Sequence, residues 1–343
     1  MSRIFVAGLG AVSPAGWTVA AMREALDRGE PLPAQPLDTR RENLSLARLV
    51  PHPATRPDFL AHPRLRRASP ITHYAASAAL EAAAKFRQVG PGNGRIGLIT
   101  CLQSGCVQYS CRFYDETLKN PATASPLLFP ETVYAAPASH IAALLENVTL
   151  VNSLVGDPST FLQGVSLAAQ WLTEDRVDVC LVIGAEEINW ITADALSHLD
   201  RISVVSAGAG ALCLCREPGL SMGVELAAIT DAHTYSTNKS RSEAARAMRH
   251  QLNGSSSDAG KELLCDGLGN GTRANAPEIS AWSDWAGSRI SPKRIFGEGL
   301  MAAAAWQCVA ACDAIANRRY ATANVSLVGF NQQAIGAKFQ AVQ

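Results

Sequence analysis

The sequence predicts an α/β protein, a largely parallel sheet covered by layers of helix. Three observations lead there. Short runs of branched apolar residues alternate along the chain with longer Ala-rich segments of helical period, the pattern of strands joined by crossover helices. Hydrophobic residues make up 48% and charged residues 17% of the chain, against a usual charged fraction of about a quarter, so apolar surface is ample and disorder is excluded. Finally, 343 residues exceed one small core, which implies two packed halves or one large unit.

The elements follow in order. Residues 4–8 read as a buried strand, closed by the turn Ser13-Pro14-Ala15-Gly16, with an amphipathic helix over 18–28. The Pro- and Arg-rich stretch 29–69 reads as irregular surface. An Ala-dominated helix spans 72–86, a second buried strand 96–100, a loop 118–132 and a helix 139–146. Then come a strand at 148–155, a helix at 158–173 and strands at 177–184, 209–215 and 223–230. A helix at 242–252 leads into a flexible Ser-rich loop at 253–257. The last part holds a strand near Leu263, a turn at 266–272, a helix at 299–317 and a final strand at 325–329. The halves 1–217 and 218–343 each carry strands, a long Ala-rich helix and a closing strand, a hint of internal duplication.

Composition removes several functions. Thirty basic and thirty acidic residues cancel and form no basic stripe, which argues against a nucleic-acid partner. The nine cysteines are odd in number and lack paired CxxC spacings, so neither a disulfide framework nor a metal site is expected. Several lie inside apolar runs, as reduced, buried thiols of a cytoplasmic protein do. The amino terminus lacks a signal cleavage site. The apolar stretch 300–316 is broken by Gln307 and Asp313, so it reads as a packed helix and not a membrane span. Gly8-Leu9-Gly10 invites a dinucleotide reading, but Ser13 stands where the third glycine belongs. No cofactor is expected.

A set of segments, taken in order, is more informative. Val6-Ala7-Gly8-Leu9-Gly10-Ala11-Val12-Ser13-Pro14-Ala15-Gly16 resembles the opening of the β-ketoacyl synthases, the condensing enzymes of fatty acid and polyketide assembly. Arg95-Ile96-Gly97-Leu98-Ile99, Phe129-Pro130 and Ala138-Ser139-His140-Ile141-Ala142 are similar to that family's second strand and the region before its nucleophile. Asp178 to Glu187 and Gly208-Ala209-Gly210-Ala211-Leu212 resemble two of its buried strands. Gly269-Asn270-Gly271-Thr272, Lys293 with Gly297, and Gly329-Phe330 resemble its "HGTGT", "KxxxGH" and "GFGG" motifs. The resemblance runs nearly end to end. It implies a thiolase-like fold, two duplicated halves in αβαβα layers, dimeric, with a cysteine at the start of a buried helix and two histidines beside it.

All three reactive positions differ in this chain. Pro158 stands where the cysteine is expected, and proline has no titratable group. Asp157 suits a helix N-cap and Pro158 the first helical position. Ser159 is the nearest hydroxyl, with no neighbouring base evident in sequence. Leu268 precedes Gly269 in place of the first histidine, and Glu298 fills the second histidine's position. A carboxylate there repels a malonyl group. None of the seven histidines lies in either window. Lys293 is retained, either paired with Glu298 or facing solvent, and Phe330 remains while the glycine pair after it is lost. Cys101 and Cys106 read as structural thiols. Arg64, Arg66 and Arg67 form either a solvated loop or a site for an acidic carrier protein or a phosphopantetheine phosphate.

The expected function is therefore that of a non-catalytic, chain-length-factor-type subunit. It would pair with an active β-ketoacyl synthase and help shape the acyl-chain pocket, with an acyl carrier protein engaged through the partner. The pathway would be of polyketide, aryl-polyene or fatty-acid type. Two alternatives stay open: an acyltransferase or hydrolase of the same fold acting on thioesters through Ser159 or a carboxylate, and a stand-alone acyl-binding homodimer.

Overall fold

The computed structural model describes residues 3–37, 45–89, 94–199, 204–252, 262–269 and 275–342. The Ser-rich loop expected at 253–257 and residues 270–272 of the expected turn lie outside the described residues. The first half of the chain contains β1 (Ile4–Val12), α1 (Val19–Arg28), β2 (Gln35–Pro36), β3 (Leu46–Arg48), α2 (Pro70–Val89), β4 (Ile96–Leu102), α3 (Val107–Lys119) and α4 (Ala136–Leu145). Next come β5 (Val148–Val155), α5 (Thr160–Thr173), β6 (Val179–Glu186), α6 (Trp190–Leu199), β7 (Val205–Ser206) and β8 (Gly208–Cys215). The remainder holds β9 (Val224–Ile229), β10 (His233–Thr234), α7 (Asn238–Gln251), β11 (Glu262–Cys265), α8 (Ala276–Ala281) and β12 (Ser288–Ile290). It ends with α9 (Pro292–Phe296), α10 (Met301–Ala316), β13 (Thr322–Val328) and β14 (Gln333–Ala341).

One five-strand pattern occurs twice. The large sheet, eleven strands among the described residues, runs β12-β11-β13-β14-β9-β1-β8-β6-β4-β5, with β10 beside β14. Within each half the order is third, second, fourth, fifth, first. The second strand is parallel to the third and fourth, while the fifth is antiparallel to the fourth and first. The halves meet where β1 pairs antiparallel with β9 at Ile4–Leu226, Phe5–Glu225 and Val6–Val224.

The sheet is thus mixed, where the alternation of elements predicts a largely parallel one. The fifth strand causes the difference. Between β13 and β14 lie only residues 329–332, enough for a hairpin and too few for the crossover that parallel pairing requires. β14 itself is not anticipated from sequence, which places the final strand at 325–329. Its nine residues mix Ala and Gly with Gln and Lys, a weak local strand signal that pairing with β13 and β9 overrides. Likewise α3, inside and before the expected loop, is a half-exposed helix with no buried residue.

β1 runs four residues past its expected end. Gly8 and Gly10 serve close packing there, not a turn: a Cβ on either would fall on the carbonyl of Ala82 or Ala78 in α2. Small residues on both partners bring helix and strand together.

Burial defines five layers. α2 and α4 cover one face of the first half-sheet, with Phe5, Ala7, Leu98 and Leu181 pointing at them. Ile4, Val6, Ile99 and Val182 point the opposite way, into a central core shared with α1, α5, α10 and the inner face of the second half-sheet. Met248 of α7 with Leu252 just after it, and Trp282 and Trp285 just after α8, close the outer face of that second half. α10 is buried at every residue from Met301 to Ile315, which explains its Ala content: only small side chains let a helix lie between two sheets. No helix among the described residues is long and apolar enough to cross a membrane.

Candidate functional site

The residues singled out in sequence sit ahead of α5 (Asp157, Pro158, Ser159), just after β11 (Leu268), in α9 and ahead of α10 (Lys293, Glu298), and on the turn that precedes β14 (Phe330). At α5 the chain leaves β5 through Gly156, and Asp157, Pro158 and Ser159 are all buried. The first turn is tightened by i to i+3 bonds from Thr160 N–H to the Asp157 carbonyl (2.9 Å) and from Phe161 N–H to the Pro158 carbonyl (3.2 Å). The helix accordingly begins at Thr160 with Ser159 in the N-cap position. That moves the start two residues beyond the expected arrangement of Asp157 as cap and Pro158 as first helical residue.

Asp157 still does the capping chemistry. One carboxylate oxygen accepts the Ser159 backbone N–H at 3.2 Å and also the Ser159 hydroxyl. The other accepts the Gln332 N–H at 3.1 Å, while Asp157 N–H donates to the Gln332 side-chain oxygen at 3.2 Å. Ser159 thus has a carboxylate partner after all, two residues upstream. Burial raises the Asp157 pKa above the usual carboxylate value, and the bonds from Ser159 and Gln332 oppose that rise. Gly329 completes the clamp, since a Cβ there would overlap the Asp157 carboxylate. Tyr235 donates its hydroxyl to the Gly329 carbonyl and its N–H to the Gln332 carbonyl.

At the second position, Leu268 is buried and offers no polar atom. Its surroundings are polar. The fully buried Asp266 accepts the Leu268 N–H (3.3 Å) and the Ser291 hydroxyl (2.5 Å), with Arg289 at 3.5 Å. Glu278 of α8 accepts the Gly267 N–H. Burial raises the pKa of both carboxylates, and Asp266 raises Glu278 further. Neither residue is anticipated from sequence, because an isolated Asp or Glu between apolar residues carries no local sign of burial.

The third position is an ion pair. Lys293 Nζ lies 2.7 Å from Glu298, with both side chains about nine-tenths buried, which decides between the two readings of Lys293. The other Glu298 oxygen accepts the Leu300 N–H at 2.9 Å. Leu300 has φ 49° and ψ −116°, a left-handed backbone rare for a non-glycine residue. The backbone of Glu298 is held as well, its N–H donating to Val204 (2.7 Å) and its carbonyl accepting from Ser206 (2.9 Å). Lys293 also lies 5.5 Å from the centre of the Phe330 ring.

The turn at 329–332 ties the first and third of these places together: Gly329 and Gln332 close on Asp157, and Phe330 lies against Lys293. Other sequence candidates lie apart or are inert. Burial raises the thiols of Cys101 and Cys106 far above the reactive range. Arg64, Arg66 and Arg67 are exposed on a short 3₁₀ turn, 63–67. No group of three or more His, Cys, Asp or Glu suited to a metal occurs among the described residues.

Glu186, the last residue of β6, and Glu187 after it hold loops by their carboxylates. Glu186 accepts the N–H groups of Gln103 and Ser104, and Glu187 takes the Ser69 hydroxyl and the N–H groups of Ile71 and Gln108. Burial lifts Glu186 to about 8.

No family model matches the sequence, and no curated protein sequence matches it. Solved structures do match. A β-ketoacyl synthase from Burkholderia phymatum STM815 superposes with a TM-score of 0.83 at 17% identity, over 100% of both chains. The ishigamide ketosynthase/chain length factor gives 0.80 at 17% identity, over 99% of this chain and 100% of that one. A ketosynthase in complex with its chain length factor from Xenorhabdus doucetiae gives 0.79 at 13% identity, over 99% and 98%. The fold is therefore the thiolase-like α/β fold that these proteins share.

Proposed function

We propose that this chain is a non-catalytic, ketosynthase-like subunit of the chain-length-factor type. It pairs with an active β-ketoacyl synthase and helps shape the acyl-chain pocket, in a pathway of polyketide, aryl-polyene or fatty-acid type. In this reading 1–217 and 218–343 are its two repeats, and an acyl carrier protein is engaged through the partner. One observation carries the reading: Pro158, Leu268 and Glu298 supply neither thiol nor imidazole, and the carboxylates of Asp157 and Glu298 are spent on internal bonds. A nucleophile and a carbonyl-polarising pair are what condensation requires.

The surface supports pairing. β5 is an edge strand of eight uncharged residues without proline, and Val151 and Val155 on it are each 52% exposed. Proteins that stay apart protect such edges with charge, proline or short length. The opposite edge does so: β12 has three residues, with Arg289 held by Asp266. The test is co-expression with a ketosynthase encoded beside this chain. The pair is expected to co-purify, and Val151→Lys with Val155→Lys to abolish co-purification while leaving thermal stability within about 1 kcal/mol. Two chains that fold separately and never co-purify overturn the reading.

A second reading has one observation in its favour, the bond from the Ser159 hydroxyl to the Asp157 carboxylate, which could serve as nucleophile and base. Ser159 is fully buried. Intact mass after incubation with acyl thioesters decides: a stable adduct on Ser159 supports an acyl-thioester enzyme, and its absence leaves the subunit reading.

A further inference from the structure

The Glu298 carboxylate has the environment of a bound ligand. One oxygen meets a buried ammonium, Lys293 Nζ at 2.7 Å, and the other a backbone donor, Leu300 N–H at 2.9 Å. Such charge-assisted contacts are short and directional. The segments that carry the donors have anchors of their own. Lys293 belongs to α9 and rests on the Phe330 ring, and Leu300 leads into the fully buried α10. The Glu298 main chain is pinned on both sides by Val204 and Ser206. Shortening the side chain therefore removes the carboxylate and leaves the donors in place.

We propose that Glu298 is a built-in ligand, occupying a recess that Lys293 and the Leu300 amide form for a small carboxylate. The ligand class is a short unbranched monocarboxylate or the carboxylate end of an acyl unit. In the native chain the recess is already filled, so a carboxylated acyl group cannot enter it. The inference concerns the isolated chain and holds or fails apart from any partner.

Stoichiometry of atoms makes the test sharp. In Glu298→Ala the vacated atoms are Cγ, Cδ and two oxygens, which acetate matches; Glu298→Gly also vacates Cβ, which propionate matches. Unfolding midpoints are measured in increasing sodium acetate, propionate or butyrate at constant ionic strength, balanced with chloride. E298A is expected to melt about 5 °C or more below the native chain. Acetate should restore part of this loss saturably, at roughly millimolar half-saturation. E298G should prefer propionate, the native chain should not respond, and the double variant K293M/E298A should lose the response. E298A responding equally to acetate and chloride, or the native chain responding as strongly as E298A, overturns the proposal. Should E298A not accumulate in folded form, its refolding yield in acetate against chloride is the readout. E298Q, whose amide keeps the recess filled, is the folded control, and equal yields in the two salts also overturn it.

Discussion

α5 and α10 hold the same place in the two halves, yet their heads are stabilised differently. Each lies in the central layer, and each is headed by a buried carboxylate that accepts the N–H two residues on: Asp157 from Ser159, Glu298 from Leu300. Asp157 has neutral donors only, the Ser159 hydroxyl and the Gln332 amide among them. Glu298 has an ammonium. The helices differ too: α5 exposes Gln163, Ser166, Gln170 and Thr173 along one face, while α10 has no exposed face. A buried carboxylate needs either several hydrogen bonds or a counterion, and one topology accommodates both solutions. Repetition of the backbone does not dictate repetition of the chemistry.

Variants can break or sharpen that contrast. The largest loss is expected at the ionic head: Lys293→Met leaves Glu298 buried without its counterion and should cost about 3–5 kcal/mol in urea unfolding. At the neutral head, Gly329→Ala pushes a methyl group into the Asp157 carboxylate and should cost about 1–3 kcal/mol. The added variant Asp157→Gly removes the clashing carboxylate, so G329A/D157G should lose less than the two single costs added together. Asp157→Asn keeps an oxygen acceptor and has no cation to strand, so about 1 kcal/mol is expected. If D157N costs as much as K293M, the contrast between the two heads fails.

A further contrast is read as a slope with pH. Glu186, like Asp157, is a buried carboxylate with neutral donors, raised by burial from 4.5 to about 8. Between those values the folded chain holds a proton that the unfolded chain has released. Its contribution is full below the unfolded value and is lost as pH rises toward and through 8. Stability of the native chain should therefore fall over that window, and Glu186→Gln should flatten the fall. A native slope unchanged in E186Q would assign the proton elsewhere.

Much of the fold was legible because its signals are local. The strand at 148–155 and the helix at 18–28 were read almost to the residue, since Gly156, Thr18 and Gly29 punctuate them. α10 was recognisable by its uninterrupted small and apolar residues. Singling out Pro158, Leu268 and Glu298 needs only residue identity and order. What escaped was held by distant partners. The contacts of Asp157 with Gln332 span 175 residues, so nothing near Ser159 in sequence indicates how its cap is anchored. β14 has little strand character of its own and is fixed by neighbours on both sides.

The amino-acid order by itself determined that Pro158, Leu268 and Glu298 carry neither thiol nor imidazole, because the identity of a side chain does not depend on the fold around it. It also determined that buried strands and Ala-rich helices would alternate, because apolar periodicity is a local property. Only the tertiary structure decided the strand order, the antiparallel return of each fifth strand, and the partners of Asp157, Lys293 and Glu298. Those depend on which distant segments share the interior, where low polarity makes every buried polar group find a specific partner.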